Sequence, residues 1–124
     1  MIAEFSIENF FSIKSVQKIS FEPSADTFMS DEYSYEVKDG VRLLKVGFIY
    51  GANASGKSTI ILGVKLLLDF LFSERDLNSG IFLCMFGDSP CYSLSYEFLI
   101  EGKTVKYFFE VDVKKDMISE KLWL

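Results

Sequence analysis

One octapeptide constrains this chain more than any other stretch: Gly51-Ala52-Asn53-Ala54-Ser55-Gly56-Lys57-Ser58. It fits the pattern G-x-x-x-x-G-K-[ST], whose glycines let the backbone curl so that its N–H groups point inward. A helix starting at the end of the loop adds unpaired N–H groups and the positive end of its dipole. The pattern therefore predicts a phosphate-binding P-loop, with Lys57 reaching the β- and γ-phosphates and Ser58 ligating Mg²⁺.

The residues on either side of the loop fit the same interpretation. The apolar run 43–50 predicts a buried strand and residues 57–73 predict a helix, so we expect a strand–loop–helix unit over 43–74. The helix is apolar around most of its circumference, which predicts cover by two sheets, or by a sheet and material outside this chain. The alternative is a turn rich in glycine and serine that binds nothing.

The rest of the chain alternates strongly enough to predict antiparallel strands. We expect an α/β fold with mixed and antiparallel sheets around one central helix, in a single incomplete domain of residues 1–124. Besides the 43–74 unit, its predicted parts are an N-terminal hairpin (1–21), a long loop (22–42), and an antiparallel β lobe (92–124) with strands at 92–100, 104–113 and 117–124.

Composition narrows the classes of partner. The 124 residues carry a net charge of −5, which argues against non-specific binding to nucleic acid or to an anionic membrane. The longest apolar run, residues 60–72, is too short and too charged to span a bilayer. The chain has no histidine, so no imidazole ligand or base exists in it. Cys84 and Cys91 are expected as free thiols in a cytoplasmic protein, with a disulfide as the alternative.

Three stretches carry a resemblance to a known family. The opening Phe5-Ser6-Ile7-Glu8-Asn9-Phe10-Phe11-Ser12-Ile13 is similar to an "I-x-N-F-[RK]-S-[FI]" pattern, residues 49–59 match a P-loop nearly letter for letter, and residues 118–122 are similar to an "I-x-x-E-x-L" ending. Together they resemble the N-terminal half of ABC-type ATPase heads in the SMC, RecF and OLD group. Within that group, the chain looks most similar to bacterial AAA family ATPases, many of which act in phage defence.

The resemblance assigns roles to individual residues. It implies that ATP and Mg²⁺ are bound by Asn53, Ala54, Ser55, Gly56, Lys57, Ser58 and Thr59. Lys57 would be the catalytic lysine on the β- and γ-phosphates, Ser58 the Mg²⁺ ligand, and Thr59 a contact near the α-phosphate. The basic residue of the N-F-[RK]-S turn is Phe11 here, so any nucleotide contact from that turn falls to Ser12 or Lys14.

Several features of such ATPases are missing from the sequence. The only glutamine, Gln17, precedes the P-loop, and no apolar strand ends in Asp-Glu, so the chain lacks a Q-loop and a Walker B pair. Glu110 and Asp112 lie in an alternating strand and are expected to be solvated rather than catalytic. Phosphoryl transfer needs a carboxylate for Mg²⁺ and a group that orients water. We therefore expect a fragment that hydrolyses ATP only when completed.

The partners follow from this expectation. They are the nucleotide, the missing C-terminal half of the ATPase head and a second copy in a full-length homodimer, with nucleic acid contacted only through other regions and no membrane. One alternative is a self-contained P-loop kinase or GTPase, although about 50 residues precede the loop and antiparallel strands follow it. Another alternative is a non-catalytic interaction module.

Overall fold

The computed structural model describes residues 1–25, 29–38, 40–72 and 80–124. It is a small α/β structure dominated by antiparallel sheets. In chain order its elements are β1 (Ile2–Glu8), β2 (Gln17–Ser20), α1 (Ser30–Tyr33), β3 (Ser34–Lys38), β4 (Val41–Leu44), α2 (Lys57–Phe72), a 3₁₀ turn (Gly80–Phe82), β5 (Cys91–Ile100), β6 (Lys103–Asp112) and β7 (Met117–Trp123).

The larger sheet has five strands in the order β2-β1-β5-β6-β7, and all neighbours are antiparallel. The alternating residues 92–100 and 104–113 correspond to β5 and β6, which extend one residue earlier than expected. Glu101 and Gly102 form the turn between them with φ of 50° and 74°. The N-terminal hairpin and the last strand also fall where the alternation predicts them.

Helix α2 packs across one face of this sheet, and Gly63 is the point of closest approach. A Cβ on Gly63 would lie 2.6 Å from Cζ of Phe5 and 3.1 Å from Cδ1 of Ile7. The hydroxyl of Tyr96 donates to the Gly63 carbonyl at 2.7 Å, and Phe70 stacks on Phe109 with ring centroids 5.4 Å apart. The fully buried residues of the core between α2 and the sheet are Phe5, Ile7, Phe10, Leu66, Leu67, Tyr92, Leu94, Tyr96, Phe109 and Val111, and Leu43 of β4 is fully buried as well.

The region expected as a long loop over 22–42 is more ordered than its composition indicated. Its described part contains α1 and a hairpin of β3 and β4 that forms a separate two-stranded sheet. Arg42 holds this unit together, because its guanidinium donates to Ser34 Oγ at 2.8 Å, to the Ser30 carbonyl at 3.2 Å and to Asp31 at 2.8 Å. Tertiary hydrogen bonds of this kind leave no periodic signal in the sequence.

The strand expected over 43–50 also differs from the structure. Strand β4 ends at Leu44, and residues 45–50 form no regular strand. Phe48 and Tyr50 are 85% and 93% exposed, so the segment is not buried. The apolar pattern is there, but no neighbouring strand among the described residues pairs with it.

Helix α2 follows the predicted helix to Phe72, and residues 73–74 of the expected unit lie outside the described residues. One face of α2 is buried on the five-stranded sheet. Ile61 and Leu68, on its other side, are 58% and 52% exposed. The described chain therefore covers α2 on one side only, and supplies no second sheet over it. Among the residues that the structure describes, no helix is long and apolar enough to span a membrane.

Candidate phosphate-binding site

The loop between residues 51 and 56 curls back on itself before α2 begins. Ser55 N–H donates to the Ala52 carbonyl at 3.3 Å, which closes a turn inside the loop. Ala54 and Gly56 have φ of 64° and 93°, in the left-handed region. Two left-handed residues in so short a stretch turn the chain sharply enough to bring its two ends together.

The structure gives a different steric reason for each of the two glycines in the motif, Gly51 and Gly56. A Cβ on Gly51 would lie 2.9 Å from the Ser55 side-chain oxygen, because the loop folds Ser55 back over Gly51. Gly56 needs its positive φ, a conformation that L side chains rarely adopt. A side chain at Gly51 would therefore force Ser55 to move, and a side chain at Gly56 would strain the backbone.

The start of α2 presents a group of unpaired backbone donors. The first helical bond is from Ile60 N–H to the Gly56 carbonyl, at 3.2 Å. Within the described chain, the N–H groups of Gly56, Lys57, Ser58 and Thr59 have no hydrogen-bond acceptor. A helix leaves its first N–H groups free, and its dipole makes the same end positive. An anion is the ligand that fits these donors.

Lys57 adds a formal charge at the same place. Its ammonium donates to the Gly51 carbonyl at 2.8 Å and to the Ala52 carbonyl at 2.5 Å. The side chain thus folds back from the helix onto the entry of the loop, six residues earlier in the chain. This geometry holds the ammonium against two carbonyls at the entry of the loop, in an exposed position.

The seven residues expected to bind nucleotide line one cavity of about 320 Å³, together with Ser12. They are Asn53, Ala54, Ser55, Gly56, Lys57, Ser58 and Thr59. A second cleft of about 390 Å³ shares Ser12, Ser55 and Gly56 with the first and is also lined by Lys14 and Lys18. Lys18 is paired with Glu4 at 2.9 Å, whereas Lys14 has no ion-pair partner in the described chain.

Ser12 reaches the loop from the turn between β1 and β2. Its hydroxyl lies 2.8 Å from the hydroxyl of Thr59, and either oxygen can be the donor. Thr59 is 7% exposed, so this contact is the polar partner of a nearly buried side chain. Ser12 and Lys14 were the two residues expected to replace the missing basic residue of this turn. In the structure, Ser12 lines the cavity and Phe11 does not.

Phe11 is used for packing instead. Its ring meets Phe10 and Phe82 edge to face, with centroid distances of 4.8 Å and 5.8 Å. Its backbone N–H donates to the Phe82 carbonyl at 2.9 Å. An aromatic residue at this position therefore ties the turn to the 3₁₀ segment.

Asn9 anchors the same turn from the other side, a role that the sequence analysis missed. Its amide Nδ2 donates to the carbonyls of Ser89 at 3.0 Å and Cys91 at 2.7 Å. Asn9 is 6% exposed and has a φ of 51°. Asparagine tolerates this left-handed conformation better than most residues, and the two N–H groups of its amide can donate to two carbonyls at once.

The carboxylates of β6 do not join the site. Asp112 accepts the backbone N–H groups of Lys114 and Lys115 at 3.1 Å and 3.0 Å, which fixes the turn between β6 and β7. The pKa of the Asp112 carboxyl is lowered, and the largest cause is the hydrogen bond from the backbone N–H of Lys115. Glu110 is exposed. Among the described residues, no group of three or more acidic or cysteine side chains could hold a metal ion.

No model of a known protein family matches this chain, and no curated protein matches its sequence.

Both cysteines are free thiols in the structure. For Cys91, burial first and then the charges of Asp112 and Glu110 raise the pKa of the thiol. A raised pKa disfavours the thiolate, which is the reactive form, so Cys91 is not an activated nucleophile.

Proposed function

We propose that this chain binds ATP through residues 53–59, as the N-terminal part of an ABC-type, P-loop ATPase. The observation that supports it most is the group of free N–H donors at residues 56–59, in a cavity that the positively charged Lys57 also lines. A polyphosphate satisfies both features, because it presents several charged acceptor oxygens close together.

The two neighbouring cavities could hold the two parts of a nucleotide, the phosphates and the nucleoside. The phosphates would lie in the cavity of about 320 Å³ against the loop. The nucleoside would extend into the cleft of about 390 Å³ beside it, since Ser12, Ser55 and Gly56 line both. Mg²⁺ would be held by the Ser58 hydroxyl, which is exposed at the start of α2, and by the phosphate oxygens.

Hydrolysis is assigned to the completed ATPase rather than to this chain. The described residues bring no carboxylate to the cavity that could hold Mg²⁺ or orient water. The exposed residues 45–50 and the outer side of α2 would be covered by the C-terminal half of the ATPase head. In this proposal the full-length protein is a cytoplasmic homodimer.

Calorimetric titration with Mg-ATP tests the binding. We expect one site per chain, and an affinity at least about 10-fold lower for Lys57→Ala, because hydrogen bonds to charged groups contribute about 1.5–3 kcal/mol. Lys65→Ala is the matched control, since Lys65 is on the same helix and pairs with Asp69 at 3.0 Å, away from the loop. Equal affinity of the two variants, or no binding by the folded wild-type chain, would refute the proposal.

A phosphate-release assay distinguishes the alternatives. We expect no turnover above background for the chain alone. Phosphotransfer by the isolated chain would instead favour a self-contained kinase or GTPase. Failure to bind Mg-ATP, with the fold intact, would leave a non-catalytic interaction module as the better description.

A further inference from the structure

Strand β7 (Met117–Trp123) forms one edge of the five-stranded sheet. It pairs with β6 on one side, and no strand of the described chain pairs with its other side. Met117, Ile118, Leu122 and Trp123 are 52%, 38%, 62% and 48% exposed. Natural sheets protect their edges with charges, prolines or bulges, and β7 carries two charges, Glu120 and Lys121, at its centre between apolar ends. An edge strand with free backbone groups is a place where another strand can add.

The side chains of β7 divide between the two faces of the sheet. Ile118, Glu120 and Leu122 lie opposite Val111, Phe109 and Tyr107 of β6. Paired residues share a face, and Phe109 stacks on Phe70 of α2, so these three belong to the face that carries α2. Alternation places the remaining four on the opposite face: Met117, Ser119, Lys121 and Trp123.

We infer that β7 pairs antiparallel with β7 of a second copy, in the register that sets Glu120 opposite Glu120. This register places Ile118 opposite Leu122 on the α2 face, and Met117 opposite Trp123 on the other. Each of these apolar pairs occurs twice because the arrangement has a two-fold axis. Ser119 lies opposite Lys121, so the strand is complementary to itself at six of its seven residues.

Two neighbouring registers would also pair residues that lie on the same face of the sheet. In both of them, however, apolar side chains lie opposite charged ones. Centring on Ser119 sets Ile118 against Glu120 and Met117 against Lys121. A shift of this kind also leaves two residues of each strand unpaired.

Centring on Lys121 places two ammonium groups opposite each other and sets Leu122 against Glu120. Only the register centred on Glu120 matches every large apolar residue with another. The sequence of β7 therefore favours a second copy of itself over an unrelated strand.

The single unfavourable pair supplies the sharpest test. The two Glu120 carboxylates face each other across the axis, and each accepts a hydrogen bond from the Tyr107 hydroxyl of its own chain at 3.2 Å. Like charges directly opposite destabilise a strand pair. The dimer is therefore expected to be weak, and to respond to the charge at this one position.

Sedimentation equilibrium, with the emission of Trp123 as a second readout, measures the association. Trp123 is the only tryptophan in the chain, so its emission reports directly on β7. We expect dimers whose dissociation constant rises at least about 10-fold in Leu122→Lys, because that variant puts two cations into apolar pairs. Ile61→Lys is the matched control, since Ile61 is similarly exposed, at 58%, and lies on α2 rather than on β7.

A chain that stays monomeric up to about 1 mM, the limit of specific weak association, overturns the inference. Dimers abolished by Ile61→Lys and kept by Leu122→Lys overturn it as well, since they would form through α2.

Charge reversal then tests the register. Glu120→Lys alone still places like charges on the axis, because both copies then carry an ammonium group there. An equimolar mixture of Glu120→Lys with the wild-type chain instead allows mixed dimers, in which an ammonium group faces a carboxylate across the axis. We expect the mixture to associate several-fold more tightly than either protein alone. A mixture no tighter than its components contradicts the register. Circular dichroism and the thermal midpoint establish that each variant is folded.

This contact involves no residue of the loop or cavity that bind nucleotide in the proposed function. The two proposals therefore fail separately: loss of ATP binding leaves the β7 dimer intact, and the reverse also holds.

Discussion

The hydroxyls of Ser12 and Thr59 lie 2.8 Å apart, although 47 positions separate these residues in the sequence. The contact joins the turn between β1 and β2 to the first turn of α2. Thr59 is nearly buried, so the bond fixes the turn against the cavity that residues 53–59 line. The geometry of the candidate site thus depends on the five-stranded sheet as well as on the loop.

The first prediction concerns this pair. Ser12→Ala should lower the free energy of unfolding by about 1 kcal/mol, the typical net contribution of one hydrogen bond. Thr59→Val should have a similar effect, and the double variant should cost less than the sum of the two, because the interaction is lost only once. Urea unfolding of the four proteins measures the coupling. Additive effects would show that the two hydroxyls do not act as a pair.

A second prediction concerns Gly63. Ala is intrinsically better in a helix than Gly by about 1 kcal/mol. At Gly63, however, the added Cβ would lie 2.6 Å from Phe5 and 3.3 Å from Leu94, and overpacking of this kind costs about 1–3 kcal/mol. We expect the collision to outweigh the helix preference, so Gly63→Ala should lower the thermal midpoint.

Gly80→Ala is the matched control for that experiment. A Cβ at Gly80 meets only Val113, at 3.8 Å, which is ordinary contact. Its thermal midpoint should be close to that of the wild type. If Gly63→Ala proves as stable as Gly80→Ala, then α2 does not approach the sheet as closely as described.

A third prediction follows from the lowered pKa of Asp112. A group whose pKa is lower in the folded state stabilises the fold when it is ionised, and this contribution is lost as the pH falls through the folded-state pKa. The ordinary value is 3.8, so the wild type should exceed Asp112→Asn in thermal midpoint above about pH 5. The difference should shrink steadily at lower pH.

Asp88→Asn is the control for this pH series, since Asp88 is exposed and has no hydrogen-bond partner in the described chain. Its midpoint should track the wild type at every pH. A difference for Asp112→Asn that stays constant with pH would mean that its charge contributes nothing to the turn.

The sequence predicts the sheet well because its signals there are local. The alternation of Leu94, Tyr96 and Phe98 and the turn at Glu101–Gly102 determine β5 and β6 without reference to the rest of the chain. The same holds for α2, where most residues over several turns are apolar and Lys65 and Asp69 are spaced four apart.

The missed features depend on distant residues. Asn9 reaches carbonyls 80 and 82 positions away, and Arg42 organises α1 and β3 from the following strand. Neither role follows from periodicity. The sequence did contain one unused local signal, because Asp39-Gly40 between two apolar stretches is typical of a tight hairpin.

The apolar run at residues 45–50 shows a second reason why prediction from sequence fails. Its composition indicates a strand, yet a strand forms only beside a partner, and the described chain offers none there. The strand predicted for this segment from local sequence is therefore wrong, since composition does not show whether a partner strand is present. In the proposed function, the remainder of the ATPase head would supply the missing partner.

The most direct test of the central claim is a titration of the ¹⁵N-labelled chain with Mg-ATP, followed by the amide resonances. The free N–H groups of residues 56–59 should show the largest shifts, because they would donate to the phosphates. Lys57→Ala should reduce these shifts at equal ligand concentration, whereas the amides of β7 should not move in either protein. Shifts spread over the sheet, or none at residues 56–59 in the folded chain, would contradict the account.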